Sequence, residues 1–185
     1  MKRVLLLGVC AIPLFFIACS SDKEDSAEQA QERNVENFGT RDDEKDADFI
    51  VAAVESSYAE IKFAQLALNK SKDENLKDIA TQIEDDNSKI LNELKDLSYK
   101  KGIAIPVEES ENTKVDIQNF HKEPSDEFNR NWAKTMMDQQ KKSLNYYESI
   151  QEKTGDSELK SWINETIPDI RYHLDSLTAY LEKLQ

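Results

Sequence analysis

Residues 74 to 102 read ENLKDIATQIEDDNSKILNELKDLSYKKG. Leu76, Ile79, Ile83, Ile90, Leu94 and Leu97 recur every three or four residues, which puts them on one face of a helix. Lys100 and Lys101 place cations where the helix dipole favours them, and Gly102 supplies the residue that closes a helix in the left-handed conformation. Asn87 breaks the apolar stripe between Ile83 and Ile90.

Three more segments carry the same period. One holds Ile50, Ala53, Val54, Ser57, Ile61, Ala64 and Leu68. Another holds Phe128, Trp132, Met136, Met137, Leu144, Tyr147 and Ile150. The last holds Leu159, Ile163, Ile167, Ile170, Leu174, Leu177, Leu181 and Leu184. No segment alternates with period two for long enough to form a strand. Thr40 with Asp43, and Ser71 with Glu74, have capping-box spacing. Pro124-Ser125-Asp126-Glu127 and Gly155-Asp156-Ser157 read as helix starts. The spacing predicts an all-α fold with helices over 42–70, 72–101, 125–154 and 157–184, each about 40 to 45 Å long. Pro168 lies inside the last of these and predicts a kink that opens the backbone near Asn164.

Loop lengths set the expected topology. The first two helices and the last two are each joined by a very short turn, so each pair is an antiparallel hairpin. Residues 103–123 form a crossover that can cover about 70 Å when extended. It lets the third helix start at the opposite end. Two tight hairpins joined by one long crossover make a ferritin-like four-helix bundle. A plain up-down bundle with a slack loop is the competing arrangement.

Composition removes several function classes. Among 185 residues, 37 are acidic and 24 basic, for a net charge of -13. Nucleic acid is excluded as a partner, because binding phosphates needs a basic patch. Cys10 and Cys19 are the only cysteines, which leaves neither a disulfide framework nor a thiolate zinc site. His121 and His173 are the only histidines. No HExxH motif, Gly-rich phosphate loop or nucleophile–base constellation is present, so the reading is of a protein that is not an enzyme.

The chain opens with Met1-Lys2-Arg3 and an apolar run from Val4 to Ala18. That run is shorter than the roughly 20 residues a membrane-spanning helix needs, and it reads as the core of a signal peptide over 1–18. Phe16-Ile17-Ala18-Cys19 resembles the bacterial lipobox, with Phe16 in place of the usual Leu. The resemblance implies that Cys19 is acylated and becomes the first residue of the mature protein, with membrane lipid as its partner. Ser20 after the cysteine resembles the outer-membrane sorting pattern of enteric bacteria. Ser20 to Asp25 loosely resembles the acidic surface-export signal of Bacteroidota lipoproteins. Residues 20–46 carry ten acids and four bases and few large apolar side chains. Such a segment buries too little to offset its ordering entropy. Residues 19–46 therefore read as a lipidated cysteine and flexible tether before a bundle over 47–185; a short helix near Ala27 to Asn34 would have nothing to pack on.

Polar residues interrupt the core stripes at one level. Asn87 and Gln140 sit on core faces, Glu60 flanks Ile61 and His173 flanks Leu174. An unpartnered buried polar group costs about 1–3 kcal/mol, so the belt predicts a satisfied network, a water-filled centre or a cation. His121 reads as a solvated loop residue. Trp132, Trp162, Tyr146, Tyr147 and Tyr172 read as core or core edge, and Met136 with Met137 as packing.

From Asp48 to Leu177 the chain resembles the ferritin-like domain of unknown function 4142, a family of exported and outer-membrane proteins. The features that match are Asp48-Phe49 with Glu60, Asp86-Asn87 followed by Gly102 and Pro106, Phe128 to Glu148, and Ile167-Pro168 with His173-Leu174. The family pattern has Asp-His where this chain has Asp86-Asn87, and again where it has Gln139-Gln140; His173 is kept. The fold implies a di-metal site built on Glu and Glu-x-x-His, here reduced to Glu84-x-x-Asn87. Two readings follow. One is a non-catalytic envelope lipoprotein without cofactor, acting as an interaction or structural module for an unidentified envelope partner. The other is an extracytoplasmic metal-binding protein with a degenerate site at Glu60, Glu84, Asp86 and His173. An amide oxygen is a poor ligand for iron or zinc, which favours the first.

Overall fold

The computed structural model describes residues 26–38 and 41–184, and among them it contains six α-helices and no strand. They are α1 (Ser26–Asn37), α2 (Arg41–Lys70), α3 (Glu74–Lys101), α4 (Glu111–Lys122), α5 (Ser125–Lys153) and α6 (Ser157–Lys183). The signal segment, Cys19 and Thr40 lie outside the described residues. Among the described residues, no helix is long and apolar enough to cross a membrane.

Both hairpin turns use the same device. Asp73 caps α3 by accepting from the Asn75 and Leu76 N–H groups at 2.9 and 3.3 Å, and Ser71 Oγ accepts from the Asp73 N–H at 3.1 Å. Asp156 caps α6 through Glu158 and Leu159 at 3.0 and 2.9 Å, with Thr154 Oγ1 accepting from its N–H at 3.1 Å. The cap of α3 is thus Asp73 and not the expected Ser71. The shorter carboxylate at Asp73 sits next to the helix start, and the serine shapes the turn instead. At the far end of α3, Gly102 adopts φ 68°. Ile103 N–H reaches Ser98 O at 2.9 Å and Gly102 N–H reaches Tyr99 O at 3.3 Å, which is the Schellman closure.

Contacts fix the helix directions. Phe49 meets Tyr147 with ring centroids 4.9 Å apart, and Trp132 Nε1 donates to Phe63 O at 2.8 Å, so α2 and α5 run in opposite senses. Trp162 Nε1 donates to Glu93 Oε2 at 3.0 Å and the Tyr180 hydroxyl to Asp73 Oδ2 at 2.8 Å, so α3 and α6 do the same. α3 and α5 therefore share one direction, and the segment between them travels back along α2. Ala104 packs on Val51, Glu109 stands 3.8 Å from Lys62 Nζ, and Lys70 Nζ donates to the carbonyls of Phe120, His121 and Glu123 at 2.6, 2.8 and 2.8 Å.

Two segments expected to be irregular are helical. The crossover contains α4, whose N-cap Ser110 accepts from Thr113 N–H at 3.3 Å, and whose Ile117 and Phe120 pack onto the core. His121 is accordingly in the last turn of a helix, exposed, and not in a loop. The acidic stretch read as a flexible tether forms α1 and docks. Ala27 and Ala30 are buried against Val51, and Asn34 is 1% exposed. Asn34 Nδ2 donates to Ala104 O at 2.9 Å and its Oδ1 accepts from Ala104 N–H at 2.8 Å. Small side chains and one amide seal a shallow face where large apolar residues are absent. α6 continues unbroken through Pro168, because Pro168 and Asn164 are on the exposed side, where water can satisfy the freed carbonyl.

Candidate functional site

The interior is two apolar clusters with a polar layer between them. Phe49, Ile50, Val54, Leu94, Leu97, Tyr147, Leu159 and Ile163 belong to one. Phe63, Leu76, Ile83, Phe128, Trp132, Met136 and Leu177 belong to the other. Along each long helix the polar residue falls where one cluster gives way to the next: Glu60 on α2, Asn87 on α3, Gln140 on α5 and His173 on α6. All four are buried, between 1% and 5% exposed.

The layer is hydrogen-bonded within itself. Glu60 Oε2 accepts from Asn87 Nδ2 at 2.9 Å and from Gln140 Nε2 at 2.6 Å. Asn87 Nδ2 also reaches the Ile83 carbonyl at 3.0 Å. Burial pushes the Glu60 carboxyl above its ordinary range, and the neighbouring His173 with the hydrogen bonds from Asn87, Gln140 and Ser143 pull partly the other way. His173 Nε2–H donates to Asp86 Oδ2 at 2.9 Å. Since a carboxylate only accepts, that bond places a proton on Nε2. His173 Nδ1 and Gln140 Oε1 are buried with no hydrogen-bond partner. Both residues line a void of about 10 Å³ that also touches Ser57, Glu60 and Asn87, room for one water molecule at most.

Of the six residues singled out by sequence, Glu60, Asn87, Gln140 and His173 come together, and Asp86 joins them through His173. Glu84 does not: its Oε1 accepts from Gln65 Nε2 at 2.8 Å, half-buried between α2 and α3. The spacing from Glu84 to Asn87 turns the glutamate off the core-facing stripe. The tryptophans and methionines pack as expected: Trp132 and Met136 are fully buried. Tyr172 is not at the core edge but 59% exposed, because it faces outward beside His173.

A di-metal centre does not fit this arrangement. The shared Glu60 oxygen already faces two amide N–H donors, and a cation at that point would meet their positive ends. Asp86 and His173 are spent on each other, and Glu84 is committed to Gln65. Among the described residues, no group of three or more His, Cys, Asp or Glu is placed to hold a metal ion.

What sequence reasoning missed is a pocket of about 370 Å³ between α2 and α5, next to Glu60. Its signal was the small residues Ala52, Ser56 and Ala59 on the α2 face that meets α5.

No curated protein matches the chain. Its fold is similar to a solved structure described as a DUF305 fragment from Deinococcus radiodurans, with a TM-score of 0.66 and 11% identity over 75% of this chain and 96% of that one. At that identity the likeness concerns the helical fold alone. Residues 26–179 match the family model described as Domain of unknown function (DUF4142), from the start of α1 nearly to the end of α6. With that match covering most of its length, the chain belongs to the DUF4142 family.

Proposed function

We propose that this chain is a non-catalytic envelope lipoprotein: a ferritin-like four-helix bundle, edged by α1 and α4, that acts as an interaction or structural module at the membrane. The carrying observation is the closed polar layer, in which Glu60 accepts from Asn87 and Gln140 where a ferritin-like relative would hold metal. A carboxylate oxygen that accepts from two amides ties α2, α3 and α5 in register and is a poor seat for a metal ion. The anchor is acylated Cys19, supported by the apolar run and lipobox-like residues before it. Two or three acyl chains are enough for stable anchoring. The partners are outer-membrane lipid and an envelope component bound by the domain.

The test pairs two measurements on the full chain. Mass spectrometry of the membrane-extracted protein is expected to find the acyl mass on Cys19 and to lose it in Cys19→Ala. Elemental analysis followed by calorimetry with iron(II), zinc and calcium is expected to find no stoichiometric binding. Tight binding of one metal that disappears in His173→Ala would favour the metal-binding reading.

A further inference from the structure

The pocket between α2 and α5 has a built floor. On α2, Ala52, Ala53, Ser56 and Ala59 present side chains too short to reach the opposite helix. On α5, Tyr146 and Tyr147 form the aromatic wall, with Gln139 and Ser143 beside them. The result is a recess of about 370 Å³, within the range of small-molecule sites. At its inner end is Glu60, 5% exposed, a residue that also belongs to the polar layer.

The acceptors of the recess are Glu60 and Gln139 Oε1, beside the hydroxyls of Ser56, Ser143, Tyr146 and Tyr147, which can donate or accept. The amides of Asn87 and Gln140 meet Glu60 on Oε2 from the core side. Gln139, which lines the recess, has its Oε1 buried with no hydrogen-bond partner. No ion pair is formed by Glu60 with Lys or Arg among the described residues. Lys142 is the cation of the lining, and it is exposed, so its charge is screened by solvent. A buried carboxylate without a Lys or Arg partner, with an unsatisfied acceptor beside it, is complementary to a ligand that brings donors and positive charge. The apolar alanines and tyrosine faces suit a small hydrophobic body, and an aromatic ring face also attracts a cation.

We infer that this recess binds a small organic ammonium compound, its apolar body between the α2 alanines and Tyr146–Tyr147 and its N–H donors on Glu60 and Gln139. The net charge of -13 on the chain would concentrate such cations near the surface. The binding is separable from the Cys19 anchor.

The probe is benzylamine, with benzyl alcohol and benzoate as neutral and anionic counterparts. The protein is the full chain in phosphatidylcholine nanodiscs, read by calorimetry and saturation-transfer NMR. One saturable benzylamine site is expected, with the two counterparts about tenfold weaker or worse, as befits loss of a charge-assisted hydrogen bond. Ser56→Leu fills the recess while leaving the Glu60 carboxyl in place, and it is expected to abolish binding while the helical circular dichroism is unchanged. Glu60→Gln is expected to weaken benzylamine about tenfold and to leave benzyl alcohol nearly unaffected. Should Glu60→Gln fail to fold, Ser56→Leu decides. The inference is overturned by the absence of a saturable site, by benzyl alcohol binding as tightly as benzylamine, or by benzylamine affinity unchanged in Ser56→Leu.

Discussion

Replacing Glu60 by alanine and by glutamine separates its charge from its role as an acceptor. Glu60→Ala removes the oxygen to which Asn87 Nδ2 and Gln140 Nε2 donate, at 2.9 and 2.6 Å. Two buried amide donors are then left without that partner, although Asn87 keeps the Ile83 carbonyl at 3.0 Å. Each orphaned donor costs about 1–3 kcal/mol. With Asn87 partly compensated, the loss is about 2–4 kcal/mol. Glu60→Gln keeps an acceptor oxygen in the same place and gives up only the charge. Burial holds the Glu60 carboxyl above its ordinary value of 4.5, so the folded state retains this proton more tightly than the unfolded state. Glu60 therefore favours folding least at high pH: its contribution falls as pH rises above the ordinary value and levels off once the folded carboxyl has ionised. Glutamine mimics the protonated acid and removes that decline. Urea unfolding of the two variants and the parent, at several pH values from acid to neutral, measures both effects. The expected result is Glu60→Ala well below the parent, with Glu60→Gln at or above the parent at neutral pH and converging with it in acid. Equal stabilities for the alanine and glutamine variants would refute the reasoning, because the acceptor would then carry no weight.

Asn34→Ala removes both bonds to the Ala104 backbone and should weaken docking of α1 by about 2 kcal/mol. Hydrogen exchange is expected to speed up over residues 26–37 while α3 and α6 stay protected. Gly102→Ala meets no neighbouring atom within 4 Å, so its cost is the backbone strain of φ 68° alone, about 1–2 kcal/mol in thermal or urea unfolding. Asp156 is held below the usual carboxylate range: burial pushes it up, but the Lys101 ammonium and the N–H groups of Leu159 and Glu158 outweigh that. Its contribution is present above the ordinary pKa of an aspartate and is lost as pH falls through the lowered one. Asp156→Ala should accordingly destabilise the protein at neutral pH and matter much less in strong acid.

The four long helices were legible because each repeats an apolar stripe at the helical period for about five turns or more. The polar layer was legible for the same reason, since a polar residue on a core stripe stands out once the stripe is drawn. Glu84 was misplaced because its three-residue spacing from Asn87 imitates a ligand pair. In the fold that spacing swings it toward Gln65, on the neighbouring helix. α4, and the docking of the short helix near Ala27 to Asn34, were invisible to a search for large apolar residues. Ala27, Ala30 and Asn34 fix α1 by small size and one two-way amide contact, and Thr113, Ile117 and Phe120 give α4 only a short apolar edge. The recess beside Glu60 escaped because Ala52, Ser56 and Ala59 look like ordinary helix formers, and their effect lies in the space they leave unfilled.

The hydrogen bonds from Asn87 and Gln140 to Glu60 are the centre of this account, and side-chain amide NMR on the full chain labelled with 15N asparagine and glutamine reads them directly. One N–H proton of each residue should be shifted downfield and exchange slowly with solvent. Both should move together as pH crosses the Glu60 titration, and stay fixed when zinc or iron(II) is added. Amide protons that exchange freely, ignore Glu60→Gln, or shift on addition of metal would contradict it.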